Sequence, residues 1–331
     1  MNAVILCGGF GKRLAPLTNE LPKPMLSVAN RPMLDYTFAQ LDRYGIRDVT
    51  LTLAYLPKKV TDWVQGYKEF TRHYSVEEIP LGTAGGVKNA SRHLDDVFVV
   101  VSGDGLNNID LNKMYEKHLK SGADVTMAVT LSDTPWLYGV VEHSDGFVRE
   151  FAEKPQNVSG KKWINTGVYI VNKYVLDYVP EKTFYDFSKD LFPFVLDKGS
   201  IGVYEHNGYW SDIGDFGSYY KANMDMRKGG FYPFAYNYLF DMDSELYGSS
   251  DISLVSGSAS LVGRICGCVI GKNCRVASGA VLDRCVVLDN TIAHGRHSGC
   301  IISGDIAIDV SEYLSPINSK IFKKTWAQDT K

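Results

Sequence analysis

Two columns of small or apolar residues recur every six positions in the last third of the chain. One column is Ile270, Val276, Leu282 and Leu288, and the other is Cys274, Ala280, Val286 and Ile292. Glycines and other small residues fill the space between them. Such a period describes a chain wound into coils with three short sides, each offering two inward positions: a β-helix of hexapeptide coils. An antiparallel β-sandwich whose spacing arises by chance is the alternative. Agreement of two columns over four hexads favours the β-helix. It would be short, about three coils of ~18 residues. A stack of that size has open ends that need caps or a second chain. The polar tail after Ser311 is one candidate cap.

The 331 residues exceed one small domain, and the rest of the sequence has a different grammar. Residues 4–6, 49–53, 97–101 and 124–131 are apolar, strand-like runs. Helical spacing separates them at 32–44, 57–67, 89–94 and 110–121. Apolar strands alternating with helices predict a parallel sheet covered on both faces, with ligands at the carboxyl ends of its strands. Residues 138–155 read as a hairpin turning at Ser144-Asp145-Gly146, followed by a strand at 164–171. Helices are expected at 187–196 and 216–226. The division is then 1–227 for an α/β domain, 228–250 for a linker, 251–310 for the β-helix and 311–331 for a tail.

Bulk properties exclude several classes. Hydrophobic residues are 45% and charged residues 22%, an ordinary globular balance. A net charge of -3 argues against a broad nucleic-acid footprint. No apolar run reaches the ~18 residues of a membrane span, and the N-terminus enters a strand rather than a signal peptide. The six cysteines are read as reduced thiols in the cytoplasm. Cys266, Cys268 and Cys274 fit no common zinc spacing.

The densest chemical signal is "CGGFGKRLAPLTNELPKPM" after the first strand. Gly8, Gly9 and Gly11 let backbone N–H groups approach a phosphate closely, although a plain tight turn has the same composition. A GxGxxG pattern would need glycine where Leu14 stands, and a Walker loop would need Ser or Thr where Arg13 stands. The cations tip the balance. Arg13 can grip phosphate oxygens bidentately, and Lys23 is a point charge fixed between Pro22 and Pro24.

These residues resemble the opening of the sugar-1-phosphate nucleotidyltransferases. Further stretches carry the resemblance across about residues 1–225: "PLGTAGGVKNA" from Pro80, "VVVSGDG" from Val99, "YGVV" at Tyr138, "EKP" at Glu153, "NTGVYI" at Asn165 and "GYWSDIG" from Gly208. Within that family the text is most similar to mannose-1-phosphate guanylyltransferases, including forms joined to a hexapeptide β-helix. The resemblance implies a Rossmann-like α/β fold, a mixed, mostly parallel sheet flanked by helices, followed here by a short left-handed β-helix. It implies that an oxygen of a hexose 1-phosphate attacks the α-phosphorus of a nucleoside triphosphate, with GTP and mannose 1-phosphate as the expected pair and pyrophosphate as the leaving group.

Residue roles follow from the same resemblance. Asp104 and Asp212 would hold Mg²⁺, a cation that prefers few carboxylates, several waters and substrate phosphates. Taken alone, Asp104 is also a common turn former and Asp212 a common helix cap. Arg13 and Lys23 would act on the triphosphate, and the nucleotide site would also take in Leu6, Gly8, Gly9, Gly11, Lys12, Pro80, Gly82, Thr83 and Gly103. Gly82 to Gly86 would form a flat wall for the base, or simply an ordinary helix start. Glu78 could read a guanine edge, or be a solvated strand residue. Gly139, Glu153, Lys154, Asn165, Thr166 and Trp210 would line the sugar-phosphate pocket. Lys12 stands where the family usually has Thr, exchanging a hydroxyl for a cation. No histidine pattern suggests a general base, which suits an already anionic nucleophile. Glucose 1-phosphate with UTP or dTTP, or a non-catalytic nucleotide-sugar-binding relative, are the alternatives. A homodimer or larger even oligomer through the β-helix is expected, with neither nucleic acid nor membrane as partner.

Overall fold

The computed structural model describes residues 1–227, 244–247 and 251–314. The chain forms two compact units: Met1–Phe10, Glu20–Met25 and Tyr36–Trp210 in one, and Gly11–Asn19, Leu26–Asp35 and Ser211 onward in the other.

The first unit is built on one sheet. Its strands are β1 (Ala3–Leu6), β2 (Asp48–Leu53), β3 (Thr71–Val76), β4 (Val97–Ser102), β5 (Val125–Ser132), β6 (Gly139–Ser144), β7 (Phe147–Glu153), β8 (Lys162–Asn172) and β9 (Ile201–Glu205). The order is β3-β2-β1-β4-β8-β5-β9-β7-β6. The first four run parallel, as the uninterrupted apolar runs require. β8 then lies antiparallel between β4 and β5, and β6 and β7 form the expected hairpin. The sheet is thus mixed and mostly parallel, as expected: β5 and β9 pair in parallel, and only β7 and β8 run against the other strands of this sheet. A strand's place between non-consecutive neighbours is not written in its own residues.

One face shows why the strands are apolar. Val4, Val100, Met127, Val129, Tyr169, Val171 and Val203 are alternate residues of adjacent strands. The helices described are α1 (Met33–Arg43), α2 (Pro57–Val64), α3 (Gly82–Asn89), α4 (Leu111–Ser121), α5 (Phe192–Lys198) and α6 (Phe216–Arg227). The strand residues pack with Ala84 and Val87 of α3 and with Phe192 and Val195 of α5 in one buried cluster. The parallel ladder continues past the strand ends. Glu77 N–H donates to Leu53 O at 2.8 Å, Cys7 N–H to Thr52 O at 3.0 Å and Gly103 N–H to Leu6 O at 3.0 Å. The ends of four adjacent strands, β3, β2, β1 and β4, are thus held level.

In the second unit, three short parallel ladders repeat. Leu254 pairs with Val269, Val269 with Val286 and Val286 with Ile301, advances of 15, 17 and 15 residues. The coils are shorter than the eighteen residues that an exact six-residue period requires, so the columns slip. Leu288 is half-buried and Val287 takes the inward place, while Ile292 is 54% exposed and Ala293 is buried instead. Ile270, Cys274, Val276, Ala280 and Leu282 lie in the interior as expected.

Antiparallel strands from the same chain lie on both ends of the longest ladder. Ser244–Tyr247, within the stretch read as linker, pairs with Ser253–Ser256, and Ile306–Asp309 pairs with Cys300–Ser303. Apart from Ser244–Tyr247 and residues 311–314, the linker and the tail lie outside the described residues.

The helix α6 (Phe216–Arg227) belongs to this unit and packs against the strands Val269–Ile270 and Cys300–Ser303. Tyr220 Oη donates to Arg284 O at 2.7 Å, and Asn223 Oδ1 accepts from Ala29 N–H at 2.9 Å. The outward side chains Val269, Val286 and Ile301 are buried on this side.

Candidate active site

Beyond β1 and β4 the first unit assembles a charged pocket floor. Lys23 Nζ lies 2.7 Å from Asp104 Oδ2, and the Lys23 side chain is only 10% exposed. Ser102 Oγ donates to the other carboxylate oxygen. Burial raises the Asp104 carboxyl, but the Lys23 charge and hydrogen bond, joined by that of Ser102, bring it below the ordinary carboxylate value. Asp104 is therefore held as an anion beside a cation. Gly103 has a steric reason, since a Cβ there would lie 2.7 Å from Cys7 Sγ. Gly8 and Gly9 have none of that kind: a Cβ on Gly9 would meet nothing within 4 Å. Leu6 is half-buried and lends its carbonyl to the ladder.

Glu77, rather than Glu78, turns toward this floor. A Cβ on Gly86 would lie 2.5 Å from Glu77 Oε1, and one on Gly8 would lie 3.8 Å from it. Its other oxygen accepts from Leu81 N–H at 2.9 Å. Burial raises the Glu77 carboxyl. Glu78, Ile79 and Pro80 are exposed. Strand parity was the available signal: Ser75 is buried, so the residue two further on shares its side.

The start of α3 departs from the flat-wall expectation. Ala84 and Gly85 N–H both donate to Tyr185 O, at 3.0 and 2.9 Å. Gly82, at φ 72°, would place a Cβ 2.7 Å from Tyr185 O, and Gly85 one 2.6 Å from Thr183 O. These glycines admit a neighbouring backbone. Thr83 Oγ1 donates to Asp186 Oδ2 at 2.9 Å and accepts from Phe187 N–H.

A second cluster in this unit gathers the residues expected around a sugar phosphate. Glu153 pairs with Gly139 across the hairpin, where a Cβ would lie 2.6 Å from the Phe151 ring. Lys154 has φ 48°, donates its N–H to Tyr138 O and places Nζ 2.9 Å from Glu153 Oε1, with its side chain 60% exposed. A bulge in β8 between Asn165 and Tyr169 presents the neighbouring residues. Asn165 donates to Tyr169 Oη at 2.8 Å, Thr166 Oγ1 donates to Ala128 O at 2.8 Å, and Trp210 Nε1 donates to Thr166 O at 2.9 Å. These three polar groups have structural partners, whereas Lys154 reaches outward and Glu153, paired with it, lies mostly covered over Gly139.

In the second unit, Gly11 adopts φ 62° and caps a short turn, Lys12–Leu14, which leaves Lys12 and Arg13 exposed. The Arg13 guanidinium lies over Gly214, 3.2 Å from the place of a Cβ. Gly214 N–H donates back to Asp212 O at 3.2 Å, so Arg13 and Asp212 belong to one local arrangement.

Parallel strand ends carrying a glycine loop, a buried Lys–Asp pair and exposed cations define a class of phosphate-handling α/β proteins. The chain belongs to the nucleotidyl transferase family, whose pattern it matches over residues 2–229. It is 34% identical to a mannose-1-phosphate guanyltransferase of Aspergillus oryzae over 88% of this chain and 82% of that protein. It is 35% identical to a D-glycero-alpha-D-manno-heptose 1-phosphate guanylyltransferase of Aneurinibacillus thermoaerophilus, over 69% of this chain and 99% of that one. Against the Debaryomyces hansenii mannose-1-phosphate guanyltransferase, the match spans 61% of the relative's length. Among solved structures, HddC from Yersinia pseudotuberculosis complexed with GMP-PN superposes with a TM-score of 0.60 at 29% identity, covering 68% of this chain and 99% of that one.

Proposed function

We propose that this protein joins a sugar 1-phosphate to a nucleoside monophosphate unit, taken from a triphosphate, with release of pyrophosphate. GTP and mannose 1-phosphate are the substrates we favour. The observation that carries the reading is the Lys23–Asp104 pair beside the glycine loop at the carboxyl ends of β1 and β4. The family match and the guanylyl-transferring relatives support the same reading.

In this mechanism the glycine loop offers backbone N–H groups to the triphosphate. Lys23 exchanges its carboxylate partner for an α-phosphate oxygen. Arg13 meets the charge that grows on the departing pyrophosphate. Lys154 holds the incoming sugar phosphate in line, and Glu153 accepts sugar hydroxyls. Orientation of the two anionic substrates supplies most of the acceleration, and no proton has to be removed from the nucleophile. Asp104 is a hard, anionic oxygen donor of the kind Mg²⁺ takes, and Asp212 is the second carboxylate we assign to holding the cation. Such a cation, when bound, would neutralise phosphate charge.

A manno-configured heptose 1-phosphate is the second reading, because the heptose 1-phosphate guanylyltransferase relative is covered almost end to end. We also read the C-terminal ladders as a left-handed β-helix, through which a homodimer or larger even oligomer forms, and the protein as cytoplasmic. Among the described residues no helix is long and apolar enough to cross a membrane, and the cysteines are all free thiols. The deciding experiment measures pyrophosphate release from four nucleoside triphosphates against mannose, manno-heptose, glucose and galactose 1-phosphates with Mg²⁺. Turnover with GTP and a manno-configured phosphate is expected. No pyrophosphate from any pair would refute the proposal.

A further inference from the structure

Within the C-terminal ladders, Ser253, Cys268, Cys285 and Cys300 occupy equivalent places on successive coils, each directly preceding a residue of the paired register. The contacts repeat as well. Cys268 N–H donates to Ser253 Oγ at 3.0 Å, and Cys285 N–H donates to Cys268 Sγ at 3.3 Å. Each thiol lies near the carbonyl two residues before it: Cys268 with Cys266 O at 3.3 Å, Cys285 with Asp283 O at 3.4 Å and Cys300 with Ser298 O at 3.3 Å. Three thiols therefore stack in one buried column beside Ile270, Leu282 and Val287.

Small size alone does not require sulfur, since Ala280 and Ala293 fill other inward places. The Cys285 amide already reaches the Cys268 sulfur, so the backbone brings these two residues against each other. Adjacent strands stand about 4.8 Å apart. That lies inside the Cα separation of roughly 4.4–6.8 Å that a disulfide bridges. The exposed Cys266 is different, because its register partners are Asp283 and then Ser298.

We propose that Cys268 and Cys285 form a reversible disulfide that staples two neighbouring coils, with hydrogen peroxide, an oxidant little larger than water, accepting the electrons. The Cys268 sulfur attacks one peroxide oxygen, the O–O bond breaks, and the leaving hydroxide takes the thiol proton as water. Cys268 becomes a sulfenic acid. The Cys285 sulfur then attacks Cys268 Sγ, the S–O bond breaks, and the hydroxyl leaves with the Cys285 proton as a second water. Two thiols and one peroxide give one disulfide and two waters. Cys268 acts first because the Cys285 amide donates to its sulfur at 3.3 Å, and the neighbouring Cys285 lowers its thiol from the ordinary value. The same contact raises Cys285, which keeps its proton until the sulfenic acid forms.

The test treats the full wild-type chain with hydrogen peroxide, blocks remaining thiols under denaturing conditions and maps peptides without reduction. The expected product joins Cys268 to Cys285, with fragment spectra separating Cys268 from Cys266, and disappears on adding dithiothreitol. Cys285→Ala should leave a Cys268 sulfenic acid that dimedone traps; the wild-type map decides the matter even if that variant folds poorly. Oxidised protein should melt a few degrees higher. Complete alkylation of both residues after peroxide, or a link involving Cys274 or Cys300 instead, overturns the proposal.

Discussion

Asp104 is the residue on which the proposed chemistry turns. Replacing it with Asn keeps its shape and removes the charge that Lys23 meets at 2.7 Å. Turnover should fall by at least about a hundredfold, the scale of a lost electrostatic contact in a transition state. Circular dichroism should stay unchanged. Near-normal kcat with Mg²⁺ would remove Asp104 from the mechanism. The two adjacent glutamates offer a sharper comparison. Glu77→Gln should raise KM for the triphosphate about tenfold, and Glu78→Gln should leave it nearly unchanged, because only Glu77 faces Gly8 and Gly86. Equal effects would refute that assignment. His118 carries a pH prediction. Burial lowers its basicity, against the raising influence of Asn172 and Asp124. A histidine held neutral in the fold contributes stability fully above its unfolded pKa of about 6.5, and that contribution is lost as pH falls below it. Urea midpoints should therefore drop from pH 7.5 to pH 5.5, and His118→Gln should flatten that drop. An unchanged slope in the variant would exclude His118. Asp104, Lys23 and Arg13 stand out in the sequence because each sits in a short local word, whereas the pairing of Lys23 with Asp104 is seen only in the fold. Glu77 was missed because two adjacent glutamates differ only in which side of a strand they face.

The helix α3 shows what local reading leaves out. Its glycines look like a ligand wall in sequence, yet Gly85 lies against a backbone carbonyl from a distant segment. Gly85→Ala gains about 1 kcal/mol of helix propensity. It also places a Cβ 2.6 Å from Thr183 O, which is backbone and cannot swing aside. The clash should win by roughly 1–3 kcal/mol. The melting temperature should then fall by several degrees, and a rise on differential scanning calorimetry would refute the packing account. The coils teach a related lesson. The six-residue period placed Ile270, Cys274, Val276, Ala280 and Leu282 inward, then failed at Val286, Leu288 and Ile292. Register is set by the pairing of whole coils, and one of them advances by 17 residues, so a strict period drifts out of phase. In the sheet, the parallel half was legible from its apolar runs. The insertion of β8 between β4 and β5 was not, since it depends on where the chain returns.

At the scale of the whole molecule, α6 makes the C-terminal coils necessary to what precedes them in the chain. Phe216, Tyr219, Tyr220 and Met226 are buried, and part of that helix is covered by the strands Val269–Ile270 and Cys300–Ser303. Each large apolar side chain brought into water costs about 1.5–3 kcal/mol. A chain ending at Arg227 should therefore aggregate or fail to fold. A monodisperse, active fragment on gel filtration would refute this. The two antiparallel strands on the longest ladder have a further consequence. A row of parallel strands with bare edges is a template for its own growth, since each edge accepts another strand of the same kind. Here Ser244–Tyr247 and Ile306–Asp309 reverse direction and act as terminators along that ladder. Its length is thereby fixed like that of a ruler with stops. A longer version would have to insert new coils in the middle rather than add them at the ends, and fibre growth along this edge is blocked from the outset.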